Sequence, residues 1–90
     1  MSNVLSESDR KAVSEILTRE LAVEETQLTL DAKLEADLSA DSLTIVQITL
    51  ALEERFNLTI PDAMAERIST VGDVFEAVAE LQESAERRAS

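Results

Sequence analysis

A chain of 90 residues can form one small domain around one modest hydrophobic core. Its 19 acidic and 8 basic side chains give a formal net charge of −11, so we expect no binding to nucleic acid and no stable insertion into a membrane. The chain has no cysteine and no histidine, which excludes disulfides, thiolate chemistry and zinc sites. A single glycine and a single proline disfavour hairpins. No segment resembles a secretory leader or a membrane span, and we therefore expect a monomeric, cytoplasmic, helical protein.

The first predicted helix covers about residues 7–21. Its apolar side chains recur at helical spacing, and they are Val13, Ile16, Leu17 and Leu21. Ser6 and Asp9 have the spacing of a capping box, which marks the start of a helix. Residues 22–41 follow without a clear period. A loop of about 20 residues is unusual in a compact domain, and we expect its scattered leucines to pin it to the core.

The second predicted helix begins after Asp41 and ends near Phe56. Asp41 is a good N-cap because its carboxylate can accept from the open N–H groups of the first turn. Asn57 is a suitable residue for leaving the helix. At 100° per residue the apolar side chains of this helix form two stripes on roughly opposite sides. One stripe contains Ile45, Ile48, Leu52 and Phe56, and the other contains Leu43, Val46 and Leu50.

Two apolar stripes on one helix have two explanations. The helix is either sandwiched inside the bundle or presents one stripe to a partner. Periodicity alone favours the sandwich. The position of Ser42 directly before Leu43, at the head of the second stripe, favours the partner surface.

A short third helix is predicted from Asp62, after Pro61, to about Ile68. The fourth helix opens on Thr70 and Asp73, which form a second predicted capping box. Its apolar face consists of Val71, Val74, Phe75, Val78 and Leu81. The predicted fold is therefore all-α: a small bundle of three longer helices and one short helix, with a long loop between the first and second helices.

We assign one domain to residues 4–84 and polar tails to residues 1–3 and 85–90. Within the domain, catalysis by a serine nucleophile lacks its base, because there is no histidine and no serine–lysine motif. Asp37, Ser39 and Asp41 have the spacing of the first three ligands of a calcium loop, but the glycine and the glutamate that such a loop requires are absent. We therefore predict no catalytic residue and no metal site.

The chain from about residue 34 to residue 81 resembles the acyl carrier protein family. The similar elements are Asp41-Ser42-Leu43, the stretch "ALEERF" at the end of the second helix, Ile60-Pro61-Asp62 and Thr70-Val71. Asp-Ser-Leu alone is a weak signal. Its position before that helix, with Ile60-Pro61-Asp62 about twenty residues later, is a specific one.

The resemblance implies that Ser42 receives 4′-phosphopantetheine from coenzyme A through a separate, magnesium-dependent phosphopantetheinyl transferase. The arm ends in a thiol, and acyl groups are held on it as thioesters. A phosphodiester at the start of a helix also suits the positive end of the helix dipole. The implied protein is a carrier and not an enzyme, and its other partners are acyl-transferring, acyl-elongating or acyl-activating enzymes with basic patches.

The resemblance also assigns roles to side chains around the arm. The partner-docking residues that it implies are Asp41, Leu43, Val46, Leu50, Glu53, Glu54 and Asp62. The residues that it implies for an acyl cavity are Ile48, Leu52, Ile60, Ala65 and Ile68. Burial in an ordinary core is the rival explanation for each apolar residue of these two sets.

Six residues depart from the family pattern, and three of them, Arg55, Ala63 and Met64, stand at positions where the family is often acidic. Ser39 stands where the family usually has glycine, which predicts a turn of different shape. Thr44 and Gln47 stand where the family often has acidic residues, and this thinned acidic face favours a specialised fatty-acid, lipid or polyketide pathway. The Val46-Gln47 pair is similar to that of D-alanyl carrier proteins, so an aminoacyl load is an alternative. A non-catalytic helical adaptor without the arm is another.

Overall fold

The computed structural model describes the backbone of residues 5–89 and the side chains of residues 5–84. In that range the chain forms four α-helices, α1 (Glu7–Leu21), α2 (Ser42–Phe56), α3 (Asp62–Arg67) and α4 (Val71–Ala89). A 3-10 turn, Glu25–Gln27, lies in the loop between α1 and α2. The same described range contains no β-strand, only an isolated bridge between Lys33 and Thr70. The predicted all-α class and the long first loop are confirmed.

The predicted tails are described only in part. The carboxyl-terminal tail, residues 85–90, is helical as far as Ala89. Residues 1–3 of the amino-terminal tail, and residue 90, lie outside the described residues.

Side-chain caps mark the starts of α1 and α4. Ser6 Oγ accepts from the Asp9 N–H at 3.1 Å, and the Asp9 carboxylate accepts from Gln82 Nε2 at 3.1 Å, which ties the start of α1 to α4. The box at Thr70 is reciprocal, because the Asp73 N–H donates to the threonine hydroxyl and the Thr70 N–H donates to the aspartate. The backbone N–H groups of Ser69 and Thr70 hold the pKa of Asp73 below its usual value.

The core draws on the helices and on the long loop. Its fully buried side chains are Val13, Leu17, Leu34, Leu52, Val71, Val74 and Val78. The loop enters this core through Leu34 and Leu38, and the Leu34 N–H donates to the Ser69 carbonyl at 2.9 Å. These contacts confirm that leucines pin the loop, although Leu30 is an exception that remains 57% exposed.

α2 packs by one stripe only. Ile48 and Leu52 are buried, and Ile45 and Phe56 are half-buried against the core. On the other side Leu43 is 65% exposed, Val46 50% and Leu50 54%. The sandwich interpretation is therefore wrong, because the described bundle leaves this side of α2 uncovered.

No helix in the described part of the chain is both long enough and apolar enough to cross a membrane.

Candidate functional site

Asp41 caps α2 and defines the local geometry of the site. Its backbone is extended, and its Oδ1 accepts from the Thr44 N–H at 2.8 Å and from the Thr44 hydroxyl at 2.9 Å. These two hydrogen bonds, with the backbone donor contributing most, hold the pKa of the Asp41 carboxyl below its usual value. The carboxylate next to Ser42 is therefore ionised well below neutral pH.

Ser42 is the first residue of α2, and its side chain is exposed. Asp41 supplies the side-chain cap, so the hydroxyl of Ser42 is not needed to start the helix. The first turn of a 15-residue helix presents backbone N–H groups and the positive end of the dipole. This position suits an attached anionic group.

The turn before the site is held in a strained conformation. Ser39 has a φ of 61°, in the left-handed region that glycine adopts at low cost and other residues do not. The next residue, Ala40, is buried, and its N–H donates to the Leu34 carbonyl at 2.8 Å. The serine is thus accommodated by backbone strain, because the adjoining residue is fixed in the core.

Replacing Ser39 with glycine is expected to raise the free energy of unfolding by about 0.5–1 kcal/mol, because glycine removes the left-handed strain. Urea unfolding followed by circular dichroism measures the change. Ser69→Gly is the matched control, since Ser69 is exposed and its φ is not positive. We expect that control to lose stability. Equal losses in both variants would contradict strain at Ser39.

The predicted docking residues do not form one uniform group. Leu43, Val46 and Leu50 lie on one exposed side of α2, which we call the apolar strip. The side chains of Asp41, Glu54 and Asp62 are also exposed. Glu53 differs, because it is half-buried and its Oε2 accepts from the Ile60 N–H at 2.7 Å. The structure therefore gives Glu53 an internal contact between α2 and the loop that leads to α3.

The predicted cavity residues lie in and around the core. Ile48, Leu52 and Ile60 are buried, while Ala65 and Ile68 are half-buried against the hydrophobic core. Ile68 also borders a surface cleft of about 270 Å³ beside α2, with Ile45 and the loop residues 33–36. The role of these residues in sheltering an acyl chain remains a prediction.

Two contacts at the site were missed in the sequence. The Thr44 hydroxyl bond to Asp41 had a local signal, because threonine at the third helical position can reach back to the N-cap. The bond between Glu53 and Ile60 had none, because it joins residues seven apart across the end of a helix. Among the described residues no group of acidic side chains could hold a metal ion.

Known proteins are similar to this chain over most of its length. The family model "Phosphopantetheine attachment site" matches residues 11–78. With the fold and the exposed serine, that match defines a phosphopantetheine-carrying domain. The acyl carrier protein of Helicobacter acinonychis (strain Sheeba) is 47% identical over 62 residues, which is 69% of this chain and 80% of that protein. Those of Wolinella succinogenes and Helicobacter pylori (strain J99) are each 45% identical over 62 residues, again 69% of this chain and 82% and 80% of their own length.

The chain belongs to the acyl carrier protein family. Its prosthetic group is 4′-phosphopantetheine, and when attached this group supplies a thiol, which the chain itself lacks. Such a domain interacts with the transferase that loads it and with enzymes that handle its acyl groups. The exposed hydroxyl at the start of α2 fits a phosphodiester-linked group, since the helix dipole favours its negative charge.

Proposed function

We propose that Ser42 carries the phosphopantetheine arm and that the apolar strip is the surface on which partner enzymes bind. The observation that carries this proposal is the exposure of Leu43, Val46 and Leu50 directly beside an exposed serine. Side chains of this kind are seldom left uncovered together unless they bind something. The protein then serves as a substrate for other enzymes and does not catalyse a reaction itself.

The apolar strip supplies contact energy, and the acids beside it guide the encounter. Full burial of such side chains contributes up to about 1.5–3 kcal/mol each. Asp41, Glu54 and Asp62 are exposed, and they favour a partner with a basic patch. Exposed charges of this kind mainly raise the association rate and orient the partner. We therefore assign the strip to affinity and the three acids to steering.

The neutral side chains of α2 narrow the choice of partner. Gln47 is exposed and Thr44 is half-exposed, and neither carries charge. A basic patch that pairs with acids at these positions loses those pairs here. We propose that the protein serves a specialised fatty-acid, lipid or polyketide pathway whose enzymes contact hydroxyl, amide and apolar groups on α2.

The attachment residue is tested by loading the protein. The chain is incubated with coenzyme A, magnesium and a broad-specificity phosphopantetheinyl transferase, and the intact mass is measured. We expect the addition of one phosphopantetheine, which fragmentation of the loaded protein assigns to Ser42. No addition, or addition at another serine, would refute the proposed site.

Partner choice is tested with Gln47→Glu. We expect the acylated variant to be elongated by a general fatty-acid ketosynthase about two- to fivefold faster than the wild type, because one exposed ion pair is restored. Gln27→Glu is the matched control, because it adds the same charge at an exposed site outside α2. Equal gains in the two variants would indicate a general charge effect. An elongation rate that is the same for Gln47→Glu as for the wild type would contradict the proposal of a specialised pathway.

A further inference from the structure

Thr44 makes two contacts to a single oxygen of Asp41. Its N–H donates to Oδ1 at 2.8 Å and its hydroxyl donates to the same Oδ1 at 2.9 Å. A carboxylate oxygen has two lone pairs, so these donors occupy both of them. The second oxygen, Oδ2, is then the one with which an exposed Asp41 can meet a partner.

The hydroxyl bond restricts the Asp41 carboxylate more than the backbone capping bond does alone. The N–H bond is the ordinary capping contact of a helix and is available whatever side chain stands at position 44. The hydroxyl bond depends on threonine or serine, since an acidic side chain there has no proton to donate at neutral pH. It gives Oδ1 of Asp41 a second donor, and a carboxylate held by two donors has less rotational freedom to lose on binding than one held by a single donor.

We propose that Thr44 is a positioning residue for loading, which holds the Asp41 carboxylate beside Ser42 as an ordered acceptor for a cationic group of the transferase. This inference rests on the proposed role of Ser42. In the loading reaction Ser42 Oγ forms a bond to the phosphorus that bears the pantetheine arm. The pyrophosphate P–O bond of coenzyme A breaks, adenosine 3′,5′-bisphosphate leaves, and the serine proton is released. Thr44 touches none of these atoms and acts through Asp41.

The electrostatics of the site agree with this arrangement. The N–H and the hydroxyl of Thr44 are the two largest causes of the lowered pKa of Asp41. Both bonds favour the ionised carboxylate, which is the form that binds a cation. Loss of the hydroxyl alone therefore moves the pKa of Asp41 upward, toward its usual value.

The test compares five variants with the wild-type protein. Thr44→Val removes the hydroxyl and keeps the branched shape, while Thr44→Ser keeps the hydroxyl. Thr49→Val is the matched control, because Thr49 lies on the same helix and its hydroxyl donates to the Val46 carbonyl at 2.7 Å, not to a carboxylate. The fourth variant is Asp41→Ala, and the fifth combines Asp41→Ala with Thr44→Val. The transferase is assayed for KM and kcat toward each, and the Asp41 carboxyl is titrated by NMR.

We expect Thr44→Val to raise the KM for the carrier about two- to tenfold, with little change in kcat, because a preorganised contact is lost. The pKa of Asp41 should rise in the same variant. Thr44→Ser and Thr49→Val should behave as the wild type, and Thr44→Val should have no further effect when Asp41 is already alanine.

Other outcomes separate this inference from the proposed function. A wild type that is not loaded refutes the role of Ser42 itself. A loaded wild type with an unchanged KM in Thr44→Val overturns the positioning role. An equal loss in Thr49→Val, or an undiminished effect of Thr44→Val in the Asp41→Ala protein, also overturns it, because Thr44 would then act on the helix and not on Asp41. If Thr44→Val fails to fold, a wild-type KM in Thr44→Ala overturns the role.

Discussion

Replacing Ser42 with alanine is expected to abolish attachment of phosphopantetheine completely and to leave the bundle folded. The hydroxyl oxygen is the atom to which we assign the new bond, so we expect no residual loading of the alanine variant. The fold should survive because Ser42 is exposed and Asp41 supplies the cap of α2. Loss of a helix-terminal hydroxyl that is not the cap changes stability by less than about 1 kcal/mol. Intact mass measures loading, and circular dichroism measures folding.

The matched control for this prediction is Ser39→Ala. It removes a hydroxyl three positions before Ser42 and keeps a residue with a Cβ at a φ of 61°, so the turn remains equally strained. We expect this variant to load like the wild type. Loading of Ser42→Ala would contradict the site. A failure of both variants would indicate instead that the turn, and not the hydroxyl of Ser42, is what the transferase requires.

The elements that could be predicted from the sequence are those fixed by local contacts. α1 and α2 have the predicted bounds because Ser6 and Asp41 cap them through bonds to residues three positions later. The capping box at Thr70 and Asp73 was predicted in the same way, from its local spacing. Helical starts set by side chains within one turn of each other leave a pattern in the sequence. Long-range contacts such as that between Asp9 and Gln82, 73 residues apart, leave none.

The exposed side of α2 shows what apolar periodicity cannot predict. Two apolar stripes give the same pattern whether a helix is covered on both sides or on one. The answer depends on whether another element covers Leu43, Val46 and Leu50, and none does so among the described residues. The family resemblance, which rests on residues around Ser42, favoured the exposed strip where the apolar period favoured burial. Surfaces that bind partners are exceptions to the rule that apolar residues are buried. Here the apolar period alone did not reveal the exception, and the motif around Ser42 was needed to predict it.

Glu53 is the residue whose replacement should affect stability most among the acidic side chains of the site. Its Oε2 accepts from the N–H of Ile60, a buried residue, at 2.7 Å. Glu53→Ala leaves that N–H without its acceptor, and we expect a loss of about 1.5–3 kcal/mol in the free energy of unfolding. For a domain of this size the melting temperature falls on the order of 10 °C. Urea unfolding and thermal unfolding measure the two changes.

Glu54→Ala is the matched control, since it removes the same side chain from the next residue of the same helix. Glu54 is exposed, and removing an acid near the carboxyl end of a helix changes stability by less than about 0.5 kcal/mol. Glu53→Gln keeps an oxygen acceptor and should recover part of the stability. The Ile60 amide should exchange with solvent faster in Glu53→Ala alone, because the loop into α3 loses its tie to α2. Equal losses in the two alanine variants would mean that helix propensity, and not the bond to Ile60, accounts for the effect.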